Sequence, residues 1–466
     1  MSTVDLGRHL ANGRFLSSYP EILSHNVYSL TESSQNFANH HWLSGCLFFQ
    51  IERVVGLRGL HIVLVGLAGV AFICGLWVTY SRGGLSALWL CGIVAIPLFY
   101  ERNEPRPEII SSIFFVAVFA VLEKIQKIGI SLKSLLLTGL IFALWVNFHI
   151  FFVIGLGFFL SGLAILVLQK PAIRQRKLLT AGHFVLPLFA TFVNPNHFML
   201  WHFMLTRMVD LAYPVAETES SFRNLELFVA FGYYGTITIF LICTWVLIRT
   251  REFSSNVLSW TLCLLGFFLS AYQSRYIALW GLCFLLLAPQ WIGVAVAKLC
   301  PKSACRSTII AILLAFSTCQ LHALGRLKVP SFGPSLASLR GIQFVHQKEL
   351  RGPVFNSFGV GSFLIGELFP GERVFVDGRP EAYSADFIRN VYIRAQLDEA
   401  FWHGLQDYYG FQLIFFRASE QSSWGRLFLR NRLADHKWKL VFRDSFSIIF
   451  VPNSPAYQSL LDIREP

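Results

Sequence analysis

Long apolar runs recur along this chain: 60–80, 84–100, 109–122, 134–147, 149–168, 178–193, 226–248, 257–271, 277–297 and 307–323. A helix that crosses the hydrocarbon core of a bilayer needs about 20 such residues, fewer where neighbours shield its ends. Ten runs therefore predict ten spans, with 109–122, 134–147 and 257–271 the shortest. Composition agrees. Apolar types make up 54% of the 466 residues and charged types 14%, with 45 Phe and 12 Trp, whereas a soluble chain carries about 25% charged residues. No soluble globule could cover that much apolar surface. Disordered, collagen-like and disulfide-scaffold classes are excluded as well. The chain reads as an α-helical polytopic membrane protein.

Charge divides it further. Residues 324–466 hold 17 Lys/Arg and 14 Asp/Glu, the density of a soluble domain, while residues 1–323 hold the other 35 charges at about half that density. The expected organisation is a first external loop with amphipathic helices (1–59), a transmembrane helical domain (60–323) and a water-exposed C-terminal domain (324–466). In that last segment Val354–Asn356, Arg373–Asp377, Phe411–Phe416, Lys439–Phe442 and Phe446–Val451 read as strands. Runs near 361–368, 384–394, 398–408 and 422–434 read as helices, so a soluble α/β domain is predicted.

The loops fall into two alternating sets. Loops 81–83, 123–133, 169–177, 249–256 and 298–306 carry 13 cations, from Arg82 to Arg306, against Glu123 and Glu252. Loops 101–108, 147–150, 194–225 and 272–276 carry five cations and six acids. Cytoplasmic loops hold the excess of Lys and Arg, so the first set is inside, and residues 1–59 and 324–466 are both outside. The net charge of +12 is mostly this topological signal, and no nucleic-acid partner is expected. To carry residues 1–59 across, a further apolar helix is expected to be encoded ahead of Met1. Eight of the nine Cys fall in spans or inside loops, and Cys46 alone falls outside. Cys300 and Cys305 have no second pair or His cluster beside them, so no metal site is assigned.

Polar residues gather on the outside face. Asp5 and His9 share a helical face in DLGRHLANG. Asn39, His40 and His41 precede Trp42. Arg102 and Arg106 flank the turn ERNEPRPE, and Asn147 and His149 stand in WVNFHIFF. Glu217 and Glu219 lie in the long loop, and Arg275 opens a span. Ionisable groups near bilayer depth line cavities or substrate paths. The plainer reading of each one alone is an interfacial anchor or a helix cap. Gly359 and Gly361 in FGVGSFLIG miss the full phosphate-loop spacing and read as turn glycines. Gly155, Gly157 and Gly162 read as helix-packing sites. Asp377, Gly378 and Arg379 follow an expected strand, where α/β sheets place ligand groups, or else form a turn closed by an Asp–Arg pair.

DLGRHLANGRFL, with YPEILSHNVYSLTE and NHHWLSG after it, resembles the first external loop of bacterial GT-C superfamily glycosyltransferases. Pro107 after Arg106, WVNFHIFFVIG, FVNPNHFMLW, GPVFNSFGVGSFLIGELFP and RVFVDGRPEAY resemble landmarks of the same group, in its subgroup with a C-terminal α/β domain. The resemblance implies a multi-pass protein of the bacterial cytoplasmic membrane with its C-terminal domain extracytoplasmic. It would move a sugar from a polyprenyl-phosphate donor to an acceptor. Asp5 would be the catalytic base. Arg106 and Arg275 would hold the lipid phosphate, and His9, His149 and Glu217 would complete the substrate site. The partners implied are membrane lipid and the lipid-linked sugar, which is a substrate rather than a cofactor, and the resemblance leaves room for a divalent cation. Two other classes compete. One is a non-catalytic envelope protein whose C-terminal domain binds a partner or glycan. The other is a transporter, which the polar groups at hairpin ends and the lack of an internal repeat disfavour.

Overall fold

The computed structural model of the chain describes residues 5–100, 105–206, 213, 218–223, 225–299, 318 and 336–460. The chain is mostly helical and divides into two units, residues 1–61, 195–214 and 331–466 in one and 62–194 and 215–330 in the other.

In the first unit, helix α1 (Leu6–Phe15) is followed by α2 (Trp42–Tyr100), whose first turns belong here. A Cβ added at Gly45 would lie 2.8 Å from the His9 carbonyl, so the glycines of DLGRHLANG and WLSG let two backbones touch. The C-terminal part of the unit carries a four-stranded sheet of β1 (Val354–Asn356), β2 (Leu413–Arg417), β3 (Trp438–Arg443) and β4 (Ser447–Pro452), in the order β1-β2-β4-β3. β1 and β2 run parallel and the other pairings are antiparallel. Each strand lies at or next to an expected one except Arg373–Asp377, which makes only single bridges from Val374 to Ser29 and Val354. The reason is Asn356. Its side chain accepts from Phe375 N at 2.9 Å and donates to Val376 O at 2.7 Å, in place of a ladder. The expected helical runs appear at Phe358–Leu368, Glu399–Tyr409 and Ser423–Ala434, and 384–394 appears as a π-helical stretch, Phe387–Ile393, that continues into Arg394–Leu397. Gly361 is inside the first of these, pressed on the Val376 carbonyl and Asp377, so it is a packing glycine and not a turn glycine.

In the second unit, helical hydrogen bonding runs unbroken through α2, yet the chain reverses. Gly84 stands at φ 74, and the Phe72 and Phe99 rings meet at 4.9 Å. On a straight helix, residues that far apart would be separated by about 40 Å. The reversal falls at the expected loop 81–83. After it come α3 (Glu108–Ile128), α4 (Leu132–Phe148), α5 (Phe152–Gln169), α6 (Pro171–Gln175), α7 (Lys177–Ala190), α8 (His197–Thr206, part of the first unit), α9 (Leu227–Arg249), α10 (Val257–Tyr272), α11 (Ile277–Leu287) and α12 (Pro289–Leu299). Among the described residues Trp42–Tyr100, Phe152–Gln169, Leu227–Arg249 and Ser254–Tyr272 are long and apolar enough to cross a membrane.

One expected run is corrected. Residues 277–297 are not a single rod but break between α11 and α12, with a bend of 68°. Pro289 lacks the N–H that would continue the helix. The break frees carbonyls at the end of α11, and Arg82 Nη1 donates to Leu286 O at 3.1 Å. The run 307–323 lies outside the described residues.

Loops of the cation-rich set bond to one another. Arg82 pairs with Glu123, Lys127 meets Glu123 at 2.7 Å, Lys170 donates to Gln126 O, and Arg176 Nη1 donates to Ile130 O at 3.2 Å. The other set does the same. Asn147 Nδ2 donates to Val193 O, and Ser274 N to Glu219 O, both at 2.8 Å.

Candidate functional site

In the first unit Asp5 stands just ahead of α1, and its carbonyl accepts from His9 N at 3.3 Å, so the two residues lie one turn apart. His9 is 2% exposed, its ring edge-on to His41 at 5.4 Å and to Phe48 at 5.9 Å. Asp5 remains partly exposed. Its Oδ1 lies 3.0 Å from where a Cβ on Gly378 would be, so the Asp5 side chain packs closely on the centre of the DGR motif. Between them sits Arg8, a residue that reading the sequence alone passed over. It is 5% exposed and its Nη2 lies 3.4 Å from His9 Nε2. Nε and Nη1 have no hydrogen-bond partner. Burial and the like charge of Arg379 pull its pKa down.

The DGR motif forms a buried pair. Arg379 Nε and Nη2 donate to Asp377 Oδ1 and Oδ2, both at 2.7 Å, and Tyr383 Oη donates to Oδ2 at 2.8 Å. Arg379 Nη2 also donates to Asn26 Oδ1 at 2.6 Å, and its guanidinium stacks over Phe37 at 4.7 Å. Burial alone would raise the Asp377 carboxyl, but the charge and hydrogen bonds of Arg379 hold it below the usual carboxylate range. With every oxygen of Asp377 committed, this is the turn closed by an Asp–Arg pair. It also joins the first loop, through Asn26, to the C-terminal segment.

In the second unit Arg275 stands in the 3₁₀ turn Ser274–Tyr276 between α10 and α11. It lines a small cleft of about 60 Å³ together with Glu108, Ser111, Ser112 and Phe151, the rest of the wall being apolar. Arg275 Nε is buried without a hydrogen-bond partner. His149 ends α4 in extended backbone, which breaks the helix and aims the ring at Ser111, Nδ1 to Oγ 3.0 Å. Trp145 Nε1 donates to the same hydroxyl at 2.9 Å. The Phe151 ring touches His149 at 4.4 Å and Tyr276 at 5.2 Å. Arg106 lies two residues before Glu108, its carbonyl capping the entry to α3 through Ile109 N at 3.2 Å. Arg275 thus lines the cleft itself, while His149 stands behind its wall against Ser111 and Phe151, and Arg106 is at the root of the helix that supplies Glu108 and Ser111. Glu217 lies outside the described residues. Reading the sequence missed Ser111. Its signal is faint, a hydroxyl pair inside an apolar run. Among the described residues no three His, Cys, Asp or Glu side chains gather as a metal ion would require.

The chain has the GT-C fold. No family model and no curated protein matches it in sequence. Among the solved structures that share the fold, two are similar over most of this chain. ArnT from Cupriavidus metallidurans bound to undecaprenyl phosphate is 12% identical, with 97% of this chain and 94% of that chain covered and a TM-score of 0.55. The Archaeoglobus fulgidus oligosaccharyltransferase in the apo form is 10% identical, with 89% of this chain covered and a TM-score of 0.58. This chain spans 66% of that archaeal protein's length.

Proposed function

We propose that this protein is a membrane glycosyltransferase that moves a sugar from a polyprenyl-phosphate donor to an acceptor on the extracytoplasmic face. The supporting observation is the fold, matched over 97% of this chain to a protein that holds undecaprenyl phosphate. The cleft of the second unit suits such a donor. Its walls are apolar, and Arg275 offers a buried, unused N–H to an anionic head. In this reading ten spans cross the bacterial cytoplasmic membrane, and the C-terminal α/β domain is extracytoplasmic.

The chemistry is a displacement at the anomeric carbon. The acceptor hydroxyl oxygen bonds to that carbon, the carbon–oxygen bond to phosphate breaks, and the lipid phosphate leaves with the electron pair. Asp5 takes the acceptor's proton, a contribution typically worth about 10²–10⁴-fold. Arg106 and Arg275 stabilise the departing phosphate, while His9, His149 and Glu217 bind substrate. A need for a divalent cation is a separate question, answered by chelation.

The test is binding of undecaprenyl phosphate to purified full-length protein, then transfer from undecaprenyl-phosphate sugars by wild type and Asp5→Asn. The expected outcome is unchanged lipid binding and a turnover loss of about 100-fold or more in the variant. Binding without turnover in wild type would favour the non-catalytic envelope protein.

A further inference from the structure

Helix α8 (His197–Thr206) reads HFMLWHFMLT and holds no Lys, Arg, Asp or Glu. Its apolar residues go all the way round, a pattern that belongs to a helix covered on every side by protein or by lipid. Protein covers one face. Leu200 and Phe203 are buried there, and the Phe203 ring meets Phe37 at 5.5 Å and His40 at 6.4 Å. Just ahead of the helix, Asn196 Nδ2 donates to Leu23 O at 3.0 Å. This face grips the first loop. The other face is exposed. Phe198 is 64% exposed and Leu205 70%, and two turns of helix separate them, so they form one stripe, with Met199 exposed as well. Of the polar residues exposed beside them, Thr206 spends its hydroxyl proton on the His202 carbonyl at 2.7 Å.

The place of α8 in the chain says what covers that stripe. It follows directly on the apolar run 178–193, in which Leu178, Val185, Phe189 and Val193 are exposed. The chain then enters the next spanning helix, α9, at Leu227, which is exposed too. Exposed apolar residues of spanning segments face lipid, so in sequence α8 has lipid-covered surface before it and after it. Ten residues make about 15 Å of helix, half of what a bilayer core requires, so α8 cannot cross. A helix too short to cross and too apolar for water lies along the interface, its apolar face sunk about 5–10 Å into the boundary between headgroups and acyl chains. A free interfacial helix turns a charged face to water, and here the first loop takes that side. Trp201, half-buried, is a residue type enriched at this depth.

We propose that α8 is an interfacial helix whose Phe198–Leu205 stripe is covered by phospholipid, and that it seats the first loop at headgroup depth. The partner is the lipid surface itself, and the proposal stands apart from the glycosyltransferase reading. The grip reaches beyond the loop. Phe37, which Phe203 touches, is the ring over which the Arg379 guanidinium stacks at 4.7 Å. Lipid contact on one side of α8 therefore supports the buried ion pair on the other.

The experiment places the photo-crosslinker p-benzoylphenylalanine at Phe198 or at Leu205 of the full-length protein, in nanodiscs of phosphatidylethanolamine and phosphatidylglycerol, and reads adducts by intact mass. Ile242, exposed on α9, is the lipid-facing reference, and Tyr408, 80% exposed on the helix Glu399–Tyr409, is the water-facing one. Both α8 positions should give adducts of phospholipid mass, in yield close to that at Ile242 and on the order of tenfold above that at Tyr408. Yields no greater than at Tyr408 overturn the proposal. So do crosslinked pairs of protein chains in place of lipid adducts, which give the stripe to a second copy. The seating is read separately. The double variant Phe198→Gln/Leu205→Gln keeps the face that grips the loop. In the same nanodiscs its Phe37 and Asn39 amides, which donate to Ser24 O and Leu23 O, should exchange with solvent several-fold faster than in wild type. Equal exchange in the two proteins overturns the seating.

Discussion

His40 offers a sharp test of how the first unit is held together. It is 3% exposed, and its Nδ1 donates to Ala38 O at 3.1 Å. Its ring lies 3.9 Å from His41 and near Phe37 and Phe203. Burial, with the positive charges of Arg8 and Arg379 adding to it and the Ala38 hydrogen bond opposing, lowers its pKa from 6.5 to about 4. The folded pKa lies below the unfolded one, so the unfolded chain binds the extra proton. Stability is full above about pH 6.5 and is lost as pH falls toward 4. The whole displacement is worth roughly 3 kcal/mol, of which about 2 is lost by pH 5. His40→Asn keeps a donor for Ala38 O and does not titrate. Urea titration of the full-length protein in micelles, read by pulse proteolysis of the C-terminal segment at pH 7.5 and pH 5, measures the difference. Wild type should lose about 2 kcal/mol more than His40→Asn between those two values. Equal losses in the two proteins would refute the assignment of a neutral buried imidazole at this position.

Arg379→Met should cost about 3–5 kcal/mol in the same assay, because it strands the Asp377 carboxylate in a buried site. Adding Asp377→Leu should recover most of that cost, and a double variant as unstable as the single would contradict the ion-pair argument. Gly7→Ala should destabilise by about 1–3 kcal/mol, since its Cβ would stand 2.7 Å from the Ser362 carbonyl, a backbone atom that cannot rotate away. Gly359→Ala meets nothing within 4 Å and should be neutral or slightly stabilising.

The apolar runs were legible because a bilayer demands long helices, and the reversal at residues 81–83 was legible because polar residues and glycines interrupt one of them. Pro289 was visible but did not outweigh the apolar run around it, so the break after Leu287 was missed. Arg373–Asp377 has the composition of a strand, yet the Asn356 side chain takes its hydrogen bonds, a competition that composition does not encode. Asp5 and His9 were legible as one helical face. Arg8 was not, because a lone arginine on a short helix is normally solvated. Its burial depends on residues more than 350 positions away. The same distance hid the part played by Asn26, which exists only once the Asp377–Arg379 pair has closed on it.

That closure also sets a timetable for biosynthesis. Asn26 and Arg379 are separated by 353 residues. At translation speeds of about 5–20 residues per second, their meeting waits roughly 20–70 s after Asn26 has been made. Throughout that interval the first loop lacks the guanidinium that donates to Asn26 Oδ1 and stacks over Phe37. Apolar residues such as Ile22, Tyr28 and Phe37 then await the partners they pack against in the finished protein. The nascent chain therefore passes through a long stage in which these apolar residues of the first loop lack their final cover. A slowing of translation should deplete this protein before it affects one whose domains close in sequence order.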